Sequence, residues 1–273
     1  MQTGARHRHD PEPAPAGSGA QSVERALALL SLVGRGGDAG RGLAGLVSET
    51  GLSRPTARRL LMALAGAGLI EQDGATRRYH LGPEAFLLGS LAASRHGMLN
   101  HAADNLRRLA RATGDTAFIS VPQGDHILCL HREDGDFPIR THALQKGDRN
   151  PLGVGAGGLA VLAAMPKARA DAVLARLQDA LRQRMGAASD RLGADVDLAR
   201  ERGYAVNPGR VVAGSWGIGV AILWPDGTPA AALSLAAIEA RMGSDRQPRL
   251  AALLHDEARL IEAALAAGRK ERQ

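Results

Sequence analysis

Residues 43–81, LAGLVSETGLSRPTARRLLMALAGAGLIEQDGATRRYHL, constrain the fold of this chain more than any other stretch. Leu43, Leu46 and Val47 fall at helical spacing, and Thr50-Gly51-Leu52 interrupts that helix at a glycine. Ser53 marks the start of a second helix, because its hydroxyl can accept a backbone N–H that the first helical turn leaves without a partner. Two short helices joined by a glycine turn are a helix-turn-helix. At about 100° per residue, Ala57, Leu60, Leu61 and Leu64 share one side of the second helix. Pro55, Arg58, Arg59 and Met62 point to the other, with Thr56 on the flank and Arg54 in the first turn.

A helix backed by leucine and fronted by arginine suits the DNA major groove, where its first turn reaches base edges and guanidinium groups reach phosphate or guanine. Gly66 and Gly68 end the helix, and Leu69-Ile70-Glu71 reads as a strand. Asp73-Gly74 is a hairpin turn signal, and Arg78-Tyr79-His80-Leu81 reads as the return strand, giving a wing with Arg77 and Arg78 near its tip. From Ser53 to His80, five arginines (54, 58, 59, 77, 78) stand against two acids, Glu71 and Asp73. That local balance is what a polyanion partner needs. The competing reading is an ordinary solvated helix face. The glycine turn, the serine cap and the basic hairpin in series favour DNA.

The 273 residues leave room for two domains. Aromatic residues are 3% of the chain, so its cores must rest on Leu, Ala, Val and Ile. The net charge of +6 fits a polyanion partner without requiring one. A single cysteine, Cys129, excludes an intramolecular disulfide and fits a reducing compartment. No apolar stretch is long enough for a membrane span, and the N-terminus lacks the apolar region of a secretory signal. A cytoplasmic protein with no membrane partner is expected.

Seven segments carry a resemblance: SVERALALL at 22–30, TGLSRPTARRLLMAL at 50–64, RRYHLG at 77–82, PLGVGAGGLAVLA at 151–163, RERGYAV at 200–206, and GIGVAI (217–222) paired with AALSLAAIEAR (231–241). In this order they resemble the IclR family of bacterial transcriptional regulators over residues 21–268. The resemblance implies an α+β chain: an N-terminal winged helix-turn-helix plus a C-terminal GAF-like antiparallel-sheet sensor domain. It also implies double-stranded operator DNA as partner, a small organic acid as effector, a homodimer or tetramer, no cofactor, and repression as the commoner outcome. DNA contacts are expected at Ser53, Arg54, Pro55, Thr56, Arg58, Arg59, Arg77 and Arg78. Pro55 departs from the serine that many members carry before the threonine, so base preference does not carry over.

Residues 1–20, rich in Pro, Gly, Ala and charge, read as a disordered tail, and 269–273 as another. His7 and His9 in the first have no further metal ligand beside them. The DNA-binding domain is expected over 21–83. It opens with a helix from Ser22 to Val33, capped by Ser22 and carrying Val23, Ala26, Leu27 and Leu30 as its apolar stripe. Gly34 to Gly42, with five glycines, reads as a loose loop. A linker helix over 84–98 carries Phe86, Leu87, Leu88 and Leu91, an apolar face wider than one small domain needs. The resemblance implies that it helps form the dimer; the alternative is packing on its own domain.

The effector-binding domain is expected over 99–268. A helix ends near Thr113, and apolar runs at 116–121, 126–131 and 139–144, separated by turn residues, read as an antiparallel meander. Helices are expected at 155–165, 167–182 and 191–202, strands at 217–224 and 230–237 joined by Pro225-Asp226-Gly227-Thr228, and a closing helix at 248–267. Gly153-Val154-Gly155-Ala156-Gly157-Gly158 satisfies GxGxxG, but a dinucleotide fingerprint must follow a buried strand in a parallel βαβ unit. Here the preceding segment, Lys146 to Pro151, reads as a polar loop.

Glycines before a helix leave backbone N–H groups bare at its positive end, a spot that suits a small carboxylate. The resemblance places the effector against this helix start and the last two strands, at Gly155, Ala156, Asn207, Gly217, Ser234 and Ala236. Asn207 falls on an acidic position of the family, Gly217 on a cysteine of some members and Ala236 on a second serine. Fewer polar groups imply a more apolar ligand, with Trp216 and Ile218 as possible wall. Ser215, Ser234, His126 and His131 sit in no nucleophile motif. Cys129, between Leu128 and Leu130, reads as a structural thiol. His126 points away from the face that Cys129 and His131 share, which argues against zinc. No catalytic or metal residue is assigned. The alternative is a metabolite-binding or enzymatic α+β domain whose winged helix serves protein contacts.

Overall fold

The computed structural model describes residues 19–140 and 144–270. Of the tails expected at 1–20 and 269–273, residues 1–18, with His7 and His9, and 271–273 lie outside the described residues, as do residues 141–143; the other tail positions belong to the first and last helices. The chain divides into two compact units between Leu91 and Ala92.

The first unit holds α1 (Gly19–Gly34), α2 (Leu43–Thr50), α3 (Arg54–Gly66), β1 (Ile70–Gln72), β2 (Tyr79–Leu81) and most of α4 (Pro83–His96). α1 starts ahead of Ser22, so this serine lies inside the helix and not at its cap. Its buried residues are Leu29 and Val33, with Ala26 and Leu30 partly covered, while Val23 and Leu27 stand 58% and 54% exposed. The expected stripe is therefore wrong at Val23 and Leu27 and holds at Ala26 and Leu30: α1 meets the core with Leu46, Leu61 and Leu64 through Ala26, Leu29, Leu30 and Val33. The glycine loop is also more ordered than expected. Arg41 exchanges both backbone hydrogen bonds with Tyr79, at 2.9 and 2.8 Å, and so adds a bridge to the wing.

In the wing, Ile70 pairs with Leu81, Glu71 with His80 and Gln72 with Tyr79. The connection is longer than the tight Asp-Gly turn expected. Asp73 Oδ1 accepts from both the N–H and the hydroxyl of Thr76, each at 2.6 Å, and the Arg77 N–H donates to Asp73 O at 3.0 Å. The Thr76 hydroxyl, as the leading cause, holds the Asp73 carboxyl below its usual range. The clamp moves the left-handed residue from Gly74 to Arg77, at φ 58°.

The second unit holds α5 (Met98–Thr113), β3 (Thr116–Gln123), β4 (His126–Glu133), β5 (Arg149–Pro151), α6 (Gly155–Ala164), α7 (Lys167–Arg176), α8 (Gln178–Met185), α9 (Leu192–Arg202), β6 (Ala205–Pro208), β7 (Ser215–Leu223), β8 (Pro229–Ile238) and α10 (Gln247–Lys270). The sheet order is β5-β4-β3-β8-β7-β6, every pair antiparallel: two three-stranded meanders joined along β3 and β8. Ile139, Arg140 and Leu144 belong to no strand. The third place is taken by β5, inside the segment read as a polar loop, through Ile127 opposite Asn150. β6 is a further unexpected strand, and the helix expected at 167–182 breaks at Leu177, which turns inward and is buried.

Period-2 alternation explains the layers. Ala117 and Ile119 of β3, Ile218, Val220 and Ile222 of β7, and Leu233 and Leu235 of β8 face α5 and α10 and form one core with Leu106, Leu254 and Ile261. The alternate residues of β7 and β8 are small: Gly217, Gly219, Ala221, Ala232, Ser234 and Ala236. They let α6 lie close to the sheet. A Cβ on Gly219 would stand 3.1 Å from the carbonyl carbon and oxygen of Ala156 and from Leu233 O. At the sheet's far end Asp115, side chain 1% exposed, accepts from Arg241 Nε and forms an ion pair with Arg246, each at 2.8 Å, and pins the end of α5 to the start of α10. Among the described residues no helix is long and apolar enough to cross a membrane.

Gly219→Ala must push α6 off the sheet and should lower unfolding stability by about 1–3 kcal/mol. Gly193→Ala in α9, where a Cβ meets nothing within 4 Å, should raise it by roughly 0.5–1 kcal/mol. Urea midpoints of the two variants check both signs.

Candidate functional site

Two surfaces gather the residues that the sequence singles out, one in each unit. On the first, the Ser53 hydroxyl caps α3 by accepting the Thr56 N–H at 3.4 Å, and the two hydroxyls lie 2.8 Å apart. Ala57, Leu60, Leu61 and Leu64 are buried, while Arg54, Pro55, Arg58 and Arg59 are exposed and Thr56 is half-covered. Arg58 and Arg59 are thus neither in a core nor locked in place. Among the described residues, the guanidinium groups of Arg54, Arg58, Arg59 and Arg77 have no hydrogen-bond or ion-pair partner. Exposed cations left unpaired keep their full charge for an outside anion. Arg78 differs: its Nη2 donates to Gly40 O at 3.2 Å, so it also braces the wing.

The second surface is a cavity of about 80 Å³ between the start of α6 and the sheet. Gly155, Ala156, Asn207, Gly217, Ser234 and Ala236 all line it. Trp216 lines it too, but Ile218 points the opposite way and is fully buried against α5 and α10. At ~10–15 Å³ per water position, the space holds roughly five to eight waters, the scale of a monocyclic organic molecule.

The chemistry of the lining is donor-rich and uncharged. α6 has Val154 at its cap and no side-chain hydrogen bond there, so its first N–H groups remain open. Asn207 Oδ1 accepts the Arg210 N–H at 3.3 Å, and Asn150 Oδ1 accepts from Arg184 Nε at 3.3 Å. With their oxygens occupied, both amides keep their NH₂ groups as donors. Arg210 in turn pairs with Asp195 of α9, whose carboxyl burial pushes up. Ser234, 8% exposed, lies 3.8 Å from where a Cβ of Gly157 would be.

Phe118, Ser120, Asn150 and Ser215 were not foreseen as lining. For Phe118 and Ser120 the signal was present: they alternate with Ala117 and Ile119, which belong to the opposite core. Asn150 gave none, because β5 has three residues. Cys129 also lines the cavity; burial, its leading cause, pushes the thiol up to about 12. A thiol held neutral is a poor nucleophile. Among the described residues no three His, Cys, Asp or Glu side chains group to hold a metal ion.

The raised Cys129 pKa fixes a sign. Folded-state protonation outlasts unfolded-state protonation above the ordinary value of 9.0, so this contribution is intact below pH 9.0 and is lost as pH rises toward 12. Denaturant unfolding of the parent chain should lose up to about 1.4 kcal/mol per pH unit more than Cys129→Ala between those limits.

Comparison with known proteins covers both units. Residues 22–74 match the IclR helix-turn-helix domain, and residues 90–263 match the family described as bacterial transcriptional regulator IclR C-terminal. The glycerol operon regulatory protein of Streptomyces coelicolor is 31% identical over 254 residues, 91% of this chain and 98% of that protein. The transcriptional repressor AllR of Escherichia coli is 29% identical over 90% of this chain and 91% of its own length. Among solved structures, an IclR transcriptional regulator from Silicibacter sp. superposes with a TM-score of 0.69 at 27% identity, covering 89% of this chain and 96% of that one. An IclR homologue from Microbacterium hydrocarbonoxydans, complexed with 4-hydroxybenzoate, shares the fold with a TM-score of 0.69 at 22% identity, covering 90% and 99%. With a helix-turn-helix that carries an open arginine face and a second unit of antiparallel sheet that matches over most of its length, the chain belongs to the IclR family of DNA-binding transcriptional regulators.

Proposed function

We propose that this protein is a cytoplasmic, effector-gated repressor that binds operator DNA as a dimer. The observation that carries the reading is the row of unpaired arginines on the exposed face of a leucine-backed helix. Arg54, Arg58 and Arg59 contact the major groove with Ser53, Pro55 and Thr56 at the helix start, and Arg77 and Arg78 of the wing contact phosphate. Repression is supported by the names of relatives, one of which is a repressor.

Self-association is supported by a large exposed apolar face. On α4, Phe86 is 79% exposed and Leu91 67%, with Leu87 and Leu88 near half. Val23 and Leu27 of α1 add to the apolar surface that the unit leaves open. A second copy covering it places two recognition helices on two half-sites, which multiplies phosphate contacts and specificity.

The effector is a small carboxylic acid with a compact apolar body. Its carboxylate lies on the bare N–H groups of Gly155 and Ala156, with the Asn207 amide and the Ser234 hydroxyl beside it, and Gly217 and Ala236 leave it room. The 4-hydroxybenzoate bound to the Microbacterium homologue supports that class. Binding favours one dimer arrangement and changes the spacing of the recognition helices, so effector and operator affinities are reciprocally coupled.

A gel shift on the chain's own upstream DNA tests the reading. Retention should weaken steeply with salt, and Arg58→Ala and Arg59→Ala should each cost binding and flatten the salt slope by about one. Retention unchanged in both variants removes α3 as the reading helix. Ser234→Ala should retain DNA binding but lose release by small carboxylates, screened from 4-hydroxybenzoate downward in size. A variant with a normal response takes Ser234 out of the site.

A further inference from the structure

The recognition helix carries a second pattern inside its basic face. The buried residues Ala57, Leu60, Leu61 and Leu64 centre on one direction of the helical wheel. At 100° per residue, the direction opposite is held by Pro55 and Met62, which are seven positions apart and fall about 20° from one another. Arg58 and Arg59 lie on either side of that line. The outermost ridge of α3 is therefore apolar, and its flanks are cationic.

Met62 is 65% exposed and belongs to no apolar cluster of its unit. Pro55 is exposed as well, and its ring offers neither an N–H nor a hydroxyl to a base edge. A helix in the major groove turns its ridge to the base edges and its flanks to the phosphate walls. A pyrrolidine ring offers the donors and acceptors on those edges no partner, and a thioether only a weak acceptor. The one apolar feature in that groove is the C5-methyl of thymine.

We infer that Pro55 and Met62 read thymine methyl groups, which makes them specificity-determining residues of the operator complex. The inference rests on the DNA-binding reading above. Seven residues at ~1.5 Å rise span about 10.5 Å, and base pairs stack about 3.4 Å apart. The two methyls therefore stand roughly three base pairs apart in each half-site. The flanking Arg58 and Arg59 supply attraction and reach guanine or phosphate between and beside them.

The experiment begins with selection of duplexes from random DNA by the full-length protein. Thymines of the selected site are then replaced one at a time by uracil, which removes only the methyl group, and affinity is measured by fluorescence anisotropy. Two thymines about three base pairs apart should each lose roughly three- to fivefold in affinity, the worth of one buried methyl. Replacing each of these thymines by 5-methylcytosine, paired with guanine, should keep more affinity than cytosine does. Met62→Ala should erase the uracil sensitivity at one position and Pro55→Ala at the other. Specific binding that is indifferent to uracil at every thymine overturns this inference alone. So does uracil sensitivity that survives in both variants. A protein that enriches no sequence and shows no salt-dependent retention overturns the DNA-binding reading, and this inference with it.

Discussion

The close approach of α6 to a sheet face made of glycine, alanine and serine is the contact on which the sensor unit depends. Had β7 and β8 carried leucine or valine on this side, as they do on the other, the helix would ride several ångströms higher on a filled core. With Gly217, Gly219, Ala232 and Ala236 beneath it, the helix start comes down to the strands and its first N–H groups open onto a small cavity. One core lies on the far face, where Ile218, Leu233 and Leu235 meet α5 and α10, and a second is gathered around α6 by α7, α8 and α9. One side of each strand thus carries stability and the other keeps space.

The DNA-reading unit solves a different problem with the same economy. Leu29, Leu46, Leu61 and Ile70 make a small core under three helices and a two-stranded wing. Among the described residues no acid pairs with the arginines of α3, in contrast to the second unit, where Asp115, Asp125, Asp195 and Glu257 each hold one or two arginines. Internal pairing lowers the charge a cation can offer outside, so the difference separates arginines that stitch the fold from arginines left for a partner.

Much of this was legible in the sequence, for identifiable reasons. α3 announced itself because cap, apolar face and terminating glycines all agreed. β7 and β8 were readable from a strong turn between two long apolar runs. What escaped was set by tertiary context. β5 has three residues, one of them proline, and strand propensity says nothing over so short a span. The wing turn followed the Asp73–Thr76 clamp, and side-chain capping of that kind overrides a dipeptide signal. Val23 and Leu27 satisfy helical periodicity as well as Leu29 does, and only the position of α2 and α3 decides which of them is covered. In the cavity, the residues at strand ends and the helix start followed from the family resemblance, whereas Asn150 and Ser120 depend on which strands lie side by side.

The lining of the cavity has a chemical corollary. Of the described residues that surround it, Cys129 alone can gain or lose a proton, and burial pushes its thiol up to about 12. From acid to mildly alkaline solution the wall of this cavity therefore presents the same uncharged surface, and any pH dependence of what enters it belongs to the ligand.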